Sequence, residues 1–227
     1  LAKNAGILVL SCIGETPGLS NLFAKYASQQ MERTEAVHIN FAYVYWRMLP
    51  AVWRHMFHCL SGDVTQYLGG KWTKVPAFGG RQTVQFLEPI GPREVGYLGH
   101  SEPITIPRFI NGLQEVTVRC ACYQPEANDL LRGLVKYGFA NQSRVAGGKS
   151  PADFITEYMA SPEGAAYFDL EMPQGLPGGV MQVEVLGTKG NDRMRFVYEV
   201  QDQAGHTVGS AAATAVDTVA RGLIPAK

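Results

Sequence analysis

A polar loop near the start of the chain carries the first residues that could bind a ligand. The segment Gly14–Asn21 follows an apolar run over residues 6–12 and precedes a stretch with helical spacing. In this order of strand, turn and helix, backbone N–H groups, a hydroxyl and an amide lie at a helix N-terminus, which favours polar or anionic ligand groups. The alternative interpretation is ordinary helix capping by Thr16 or Ser20.

A second group of residues suggests a metal site or a reactive thiol. His55 and His58, with Cys59, have the spacing of one helix face, but zinc sites need three or four ligands and no complementary pair is evident in the sequence. We therefore expect no metal. Cys120 and Cys122 lack the redox C-x-x-C spacing, and the absence of a G-x-S-x-G motif argues against a serine hydrolase.

The composition excludes several classes of protein. The 227 residues include 20 Lys and Arg and 20 Asp and Glu, without a basic block, which argues against nucleic-acid binding. No apolar run approaches the roughly 18 residues that span a bilayer, and the first residues have no signal-peptide pattern. Four cysteines in a chain of this length indicate reduced, mostly buried thiols, so we expect a cytoplasmic protein.

The hydrophobic pattern predicts about five helices and nine strands. Residues 6–12 form a continuous apolar run typical of a buried strand, and Ala36–Trp46 alternates as a long strand. The Gly69-Gly70 pair predicts a hairpin turn. Hairpins dominate the middle of the chain and there is no steady βαβ alternation, so we expect an α+β fold with a mixed, largely antiparallel sheet and helices packed on it.

Three segments in register resemble the saccharopine dehydrogenase-like oxidoreductases. They are the loop from Gly14 to Leu22, the stretch from Gly70 to Phe78 that leads to His100-Ser101-Glu102-Pro103-Ile104-Thr105-Ile106-Pro107, and the terminal segment Gly209–Pro225. The resemblance extends along nearly the whole chain. It implies a domain like the C-terminal domain of glyceraldehyde-3-phosphate dehydrogenase, and a role in amino-acid metabolism.

The same resemblance implies a two-part enzyme that uses NAD or NADP. Such enzymes oxidise a C–N bond between two amino acids, and an N-terminal Rossmann domain holds most of the cofactor. The Rossmann fingerprint G-x-G-x-x-G is absent here. We therefore expect residues 1–227 to be one substrate and catalytic domain, with residues 1–32 leading in from a missing dinucleotide-binding domain. A homodimer is expected, and the chain alone is expected to be inactive.

The resemblance also suggests roles for individual residues. His100 lies in a matching segment and is our first candidate for the proton acceptor, whereas His38 on a strand could be a core histidine. A substrate with several carboxylates favours arginines, and the candidates are Arg108, which follows a matching segment, and Arg81, which follows the Gly79-Gly80 turn. The expected cofactor-facing residues are Gly14, Thr16, Pro17, Gly18, Ser20 and Asn21.

The pocket is expected between this loop, the sheet face near Tyr43 and Tyr45, and the segment from His100 to Arg108. Two functions remain open at this point. The first is the substrate-binding and dimerisation domain of the dehydrogenase, which predicts that an arginine and a histidine converge on the loop. The second is a non-catalytic ligand-binding or scaffolding domain of the same ancestry.

Overall fold

An eight-stranded mixed sheet forms the centre of the computed structural model, which describes residues 3–43, 50–145, 147–168, 175–202 and 204–224. The strands are β1 (Arg33–Tyr43), β2 (Asp63–Leu68), β3 (Lys71–Pro76), β4 (Gln82–Gln85), β5 (Pro92–Tyr97), β6 (Glu115–Cys122), β7 (Gly179–Lys189) and β8 (Asp192–Asp202).

The helices among the described residues are α1 (Leu19–Ser28), α2 (Pro50–Cys59), α3 (Glu102–Thr105), α4 (Pro125–Lys136), α5 (Pro151–Ala160), α6 (Pro162–Phe168) and α7 (Ala204–Ala220). Short 3-10 turns occur at Lys3–Ala5 and Ile106–Arg108. None of these helices combines the length and apolar composition needed to cross a bilayer.

The strand order is β3-β2-β6-β1-β7-β8, and the β4–β5 hairpin joins β6 through β5. Within the described residues only β1 and β6 pair in parallel, and the other neighbours are antiparallel. This topology confirms the predicted α+β fold with a mixed, largely antiparallel sheet. The predicted two-glycine hairpin is also confirmed, because Gly69 and Gly70 both have positive φ at the β2–β3 turn.

The alternation of β1 divides the core between the two faces of the sheet. Val37, Ile39 and Phe41 are buried in the main cluster, which also contains Trp53 and Phe57 of α2. Neighbouring Ala42 belongs to a smaller cluster on the opposite face. Both faces of the centre of β1 are therefore covered.

The predicted strand over residues 6–12 is wrong. The structure has no regular secondary structure there, and the side chains of Ile7 and Val9 are 59% and 63% exposed. A strand forms only where another strand completes its hydrogen bonds, and none of the described strands lies beside this segment. Cys12 is consequently exposed, whereas the other three cysteines are buried, and all four are free thiols.

A charged cluster joins the four neighbouring strands β6, β1, β7 and β8. Nδ1 of His38 in β1 lies 2.9 Å from Oε2 of Glu184. Its Nε2 forms an ion pair with Oε1 of Glu115 at 3.4 Å. Arg195 adds a 2.6 Å bond to the other oxygen of Glu184. Burial would lower the pKa of His38, but the two carboxylates outweigh it and raise the pKa to about 9.

This cluster predicts a loss of stability at alkaline pH. The pKa of His38 in the folded chain lies above its usual 6.5, so its contribution is complete below pH 6.5 and disappears as the pH rises to about 9. The free energy of unfolding, measured with urea, should fall by about 2 kcal/mol more in the wild type than in His38→Gln across that interval. His206→Gln, at an exposed histidine, should behave like the wild type. Equal pH dependence in the wild type and His38→Gln would contradict this origin.

Candidate functional site

The carboxylate of Glu102 holds the candidate site together. Glu102 begins α3, and its side chain is completely buried. Its Oε1 accepts hydrogen bonds from Thr16 Oγ1 at 2.5 Å and from Ser20 Oγ at 2.8 Å. Its Oε2 lies 2.7 Å from Nδ1 of His100. The polar loop, α1 and the segment before α3 therefore meet at one carboxylate.

Glu102 is ionised at neutral pH in spite of its burial. Removal from water would by itself raise the pKa of its carboxyl group, but the imidazole of His100 and the hydroxyls of Thr16 and Ser20 outweigh this and lower the pKa below its usual 4.5. An ionised carboxylate is an acceptor, so Nδ1 of His100 carries the hydrogen. The second nitrogen of His100, Nε2, remains available to a ligand.

The loop Gly14–Asn21 is organised by its own hydrogen bonds. The N–H of Gly14 donates to the carbonyl of Pro17 at 2.8 Å, and the N–H groups of Leu19 and Ser20 donate to Gly14 and Glu15. These N–H groups are therefore not free, contrary to the expectation from the sequence. Capping by Thr16 or Ser20 is also wrong, because both hydroxyls donate to Glu102 instead.

The N-cap of α1 is Gly18, whose N–H donates to Oδ1 of Asn21 at 3.3 Å. The Nδ2 group of Asn21 donates to Thr105 Oγ1 at 3.0 Å, which is a second link between the loop and α3. The loop and the segment around His100, which the sequence placed together, are therefore in direct contact.

His100 lies in the wall of a pocket of about 490 Å³. The lining residues are Pro17, His55, His58, Cys59, Ser61, Asp63, Val64, Thr65, Lys74, Gly99, His100, Ser101 and Ile104. Pro17 brings the loop to this pocket. Lys74 provides a cationic side chain in the pocket wall, and no arginine of the described residues lines the pocket.

Two residues of α2 face His100 across this pocket. The sulfur of Cys59 lies 3.5 Å from Nε2 of His55, and the rings of His55 and His100 have centroids 6.0 Å apart. Burial and the charge of Glu102 raise the pKa of the Cys59 thiol to about 11. Burial, His100 and His58 lower the pKa of His55. In the protein alone, Cys59 is thus a neutral thiol and not an activated nucleophile.

The structure separates the other predicted site residues from this pocket. Arg81 is exposed and lies 3.4 Å from Glu94 across the β4–β5 hairpin, and Arg108 is exposed after α3. Tyr43 is directed to α2, where its hydroxyl donates to the sulfur of Met56 at 3.1 Å. Tyr45 lies outside the described residues. Within the described chain, a histidine converges with the loop but no arginine does.

Sequence reasoning missed Glu102 as the centre of the site, and it missed Lys74. It considered His55 and Cys59 but found no further ligand for them. The available signals were weak: the His100-Ser101-Glu102 order within a quoted motif, and the four-residue spacing from His55 to Cys59. His100 and the two α2 residues His55 and Cys59 are far apart in the sequence, and only the tertiary fold brings them together.

The fold is similar to that of a solved oxidoreductase. No protein-family profile matches the sequence, and no curated protein matches it. The structure of apo histidine-tagged saccharopine dehydrogenase (L-Glu forming) from Saccharomyces cerevisiae matches with a TM-score of 0.59 and 15% identity, over 98% of this chain and 68% of that chain. This chain has a saccharopine dehydrogenase-like fold. The resemblance seen in the sequence is thereby confirmed, and at this identity it concerns the fold alone.

The buried bond from Ser20 to Glu102 predicts a large effect of a small substitution. Ser20→Ala leaves a buried carboxylate without one of its donors, so we expect a loss of about 2 kcal/mol in the free energy of unfolding. Ser28→Ala is the matched control on the same helix, since the Ser28 hydroxyl donates to the carbonyl of Lys25 near the surface. It should change stability by less than about 0.5 kcal/mol. Similar losses in both variants would show that Glu102 does not depend on Ser20.

The backbone of Gly18 predicts that the loop does not tolerate a side chain there. Its φ is 137°, and a Cβ atom would lie 2.3 Å from the carbonyl oxygen of Gly14. Gly18→Ala should therefore cost about 3 kcal/mol of stability in urea unfolding. Gly133→Ala, within α4 and with nothing within 4 Å of its Cβ position, should be neutral or stabilise by up to about 1 kcal/mol. A Gly18→Ala variant as stable as the wild type would contradict the loop geometry.

Proposed function

We propose that this chain is the substrate-binding and dimerisation domain of an NAD(P)-dependent, saccharopine dehydrogenase-like oxidoreductase acting on a C–N bond of an amino-acid conjugate. The observation that carries this proposal is the buried, ionised Glu102, which fixes His100 in the wall of a pocket beside the Gly14–Asn21 loop. The similarity of fold to saccharopine dehydrogenase supports it.

In the proposed reaction His100 is the proton acceptor. Oxidation of a secondary amine to an imine releases a hydride from carbon and a proton from nitrogen. Nε2 of His100 accepts the proton, while Glu102 holds the Nδ1–H and stabilises the resulting imidazolium. The nicotinamide, when bound, supplies the hydride acceptor. Lys74 in the pocket wall offers a cation to a substrate carboxylate.

The chain's own loop is poorly suited to bind a dinucleotide phosphate. The N–H groups of Gly14, Gly18, Leu19 and Ser20 are already bonded, so the loop provides no phosphate cradle. In this proposal the loop borders the cofactor at Pro17, and a separate dinucleotide-binding domain holds the cofactor.

An exposed apolar groove is evidence that a further domain packs against this one. The groove has a volume of about 610 Å³ and is lined by Leu8, Leu10 and Ile13 together with Ala212, Ala215, Val216, Val219 and Ala220 of α7. Val216 is 69% exposed. An exposed groove lined by apolar side chains is typical of a surface that another protein domain covers. We propose that the dinucleotide-binding domain covers it, since the yeast structure extends beyond the part that this chain matches.

The second candidate is a non-catalytic ligand-binding or scaffolding domain of the same ancestry. The absence of an arginine among the described pocket residues favours it, because Arg81 and Arg108 lie elsewhere. A scaffold would retain the sheet and the buried Glu102 network without using His100 in chemistry.

The test is nicotinamide reduction by the full-length protein with saccharopine and related N-linked amino-acid pairs as substrates. We expect His100→Gln to lower kcat by about 100-fold or more, with a smaller effect on KM, because it removes the proton acceptor. The exposed histidine substitution His206→Gln is the control and should retain the wild-type rate. The pH dependence of kcat/KM should lose its acidic limb in His100→Gln.

One result would decide between the candidates, and another would test the role of His100. Calorimetric binding of the amino-acid pair without any nicotinamide reduction would support the ligand-binding domain and reject the dehydrogenase. Full activity of His100→Gln would reject His100 as the proton acceptor.

A further inference from the structure

Three potential metal-binding side chains converge at the pocket. One ligand atom each of His55, Cys59 and His100 can be chosen so that all three lie within 4.8 Å of one another. Zn–N and Zn–S bonds of about 2.1 and 2.3 Å place tetrahedral ligand atoms roughly 3.5 Å apart. Side-chain rotations that bring these two nitrogens and one sulfur about 1 Å closer together would therefore complete a triangular face of a coordination sphere. Within the described part of the chain, no other group of three histidine, cysteine or acidic side chains brings its ligand atoms this close together.

The backbone holds these side chains in place without a metal. His55 and Cys59 are one helical turn apart on α2, so they project from the same face. The N–H of Gly99, next to His100, donates to the carbonyl of Cys59 at 2.8 Å. A Cβ atom at Gly99 would lie 2.8 Å from Cγ1 of Val64 and 3.0 Å from that same carbonyl. The close approach of the two segments therefore requires this glycine.

Glu102 gives His100 the orientation typical of a metal ligand. Metal-binding histidines usually donate their second ring N–H to a carboxylate, which fixes the ring and increases the basicity of the ligating nitrogen. Nδ1 of His100 makes this bond to Glu102 at 2.7 Å. Because Nδ1 is occupied by this bond, Nε2 is the nitrogen of His100 that is left to bind a cation.

We propose that His55, Cys59 and His100 bind one divalent zinc-type cation whose fourth position opens into the pocket. The mixed imidazole and thiolate donors suit Zn²⁺ better than Mg²⁺ or Ca²⁺, which prefer oxygen. Three protein ligands beside an accessible pocket are the arrangement of a catalytic metal site, in which water or a substrate atom is the fourth ligand. The site thus takes a small ligand with a lone pair, such as water, an amine or a carboxylate.

This inference goes beyond the proposed function and does not depend on a nicotinamide. With a cation on Nε2, the imidazole would no longer accept a proton. A hydroxide bound to the cation would take that role from His100, because zinc lowers the pKa of bound water to about 7. The metal is tested by binding and spectroscopy without substrate. Failure of either proposal therefore leaves the other measurable.

The experiment is titration of the chelator-treated protein with Co²⁺, followed by displacement with Zn²⁺. We expect one equivalent to produce the visible bands of tetrahedral Co²⁺ and a thiolate-to-cobalt charge-transfer band, both abolished by Zn²⁺. Cys59→Ser should remove the charge-transfer band. Cys12→Ser, at the exposed cysteine, is the matched control and should leave the spectrum unchanged.

A second variant tests the role of Glu102. Glu102→Gln should keep the tetrahedral bands but weaken Co²⁺ binding by about 10- to 100-fold, as expected for a residue that orients a ligand. Circular dichroism establishes that each variant is folded. The proposal is overturned if the folded wild type takes up no stoichiometric Co²⁺, if Cys59→Ser keeps the charge-transfer band, or if Cys12→Ser loses it.

Discussion

The structure depends on the removal of one carboxylate from water. An ionised carboxylate in a protein interior costs several kcal/mol unless hydrogen bonds replace its hydration. Glu102 obtains those bonds from Thr16, Ser20 and His100, which belong to a loop, a helix and an extended segment. None of these donors is adjacent to another in the sequence. The burial of this charge is therefore favourable only in a fold that assembles all three, so the network specifies the arrangement of the site.

This network couples stability to the orientation of His100. The bonds that compensate the buried charge also fix the tautomer and the ring plane of the imidazole, and they leave Nε2 as the nitrogen that can bind a ligand. The loop contributes through its shape, because Gly18 permits the tight backbone that places Thr16 and Ser20 beside the carboxylate. A change in the loop should thus affect the site even though most of the loop does not line the pocket.

The sequence predicted the fold where its signals are local. The alternation in β1 corresponds to side chains that divide between core clusters on the two faces of the sheet, and the glycine pair at Gly69 and Gly70 corresponds to a tight hairpin. Both signals depend on neighbouring residues. The continuous apolar run over residues 6–12 is also a local signal, but whether it forms a strand depends on whether a second strand lies beside it. No described strand does so, so local hydrophobicity gave the wrong prediction. Short α3 also escaped prediction, because its four residues carry no helical period.

The candidate site shows the same division between local and tertiary information. The pairing of His55 with Cys59 can be read from helical spacing, and His100 was singled out, but their convergence depends on the Gly99–Cys59 backbone bond, which joins segments far apart in the chain. The loop is the more instructive case. Its strand-turn-helix pattern favoured free N–H groups at a helix N-terminus, yet the hydroxyls that could have faced a ligand are directed inward. They are directed there because a buried negative charge attracts donors more strongly than the helix end attracts a cap. The presence of Glu102, and not the loop sequence itself, therefore determines what the loop can bind.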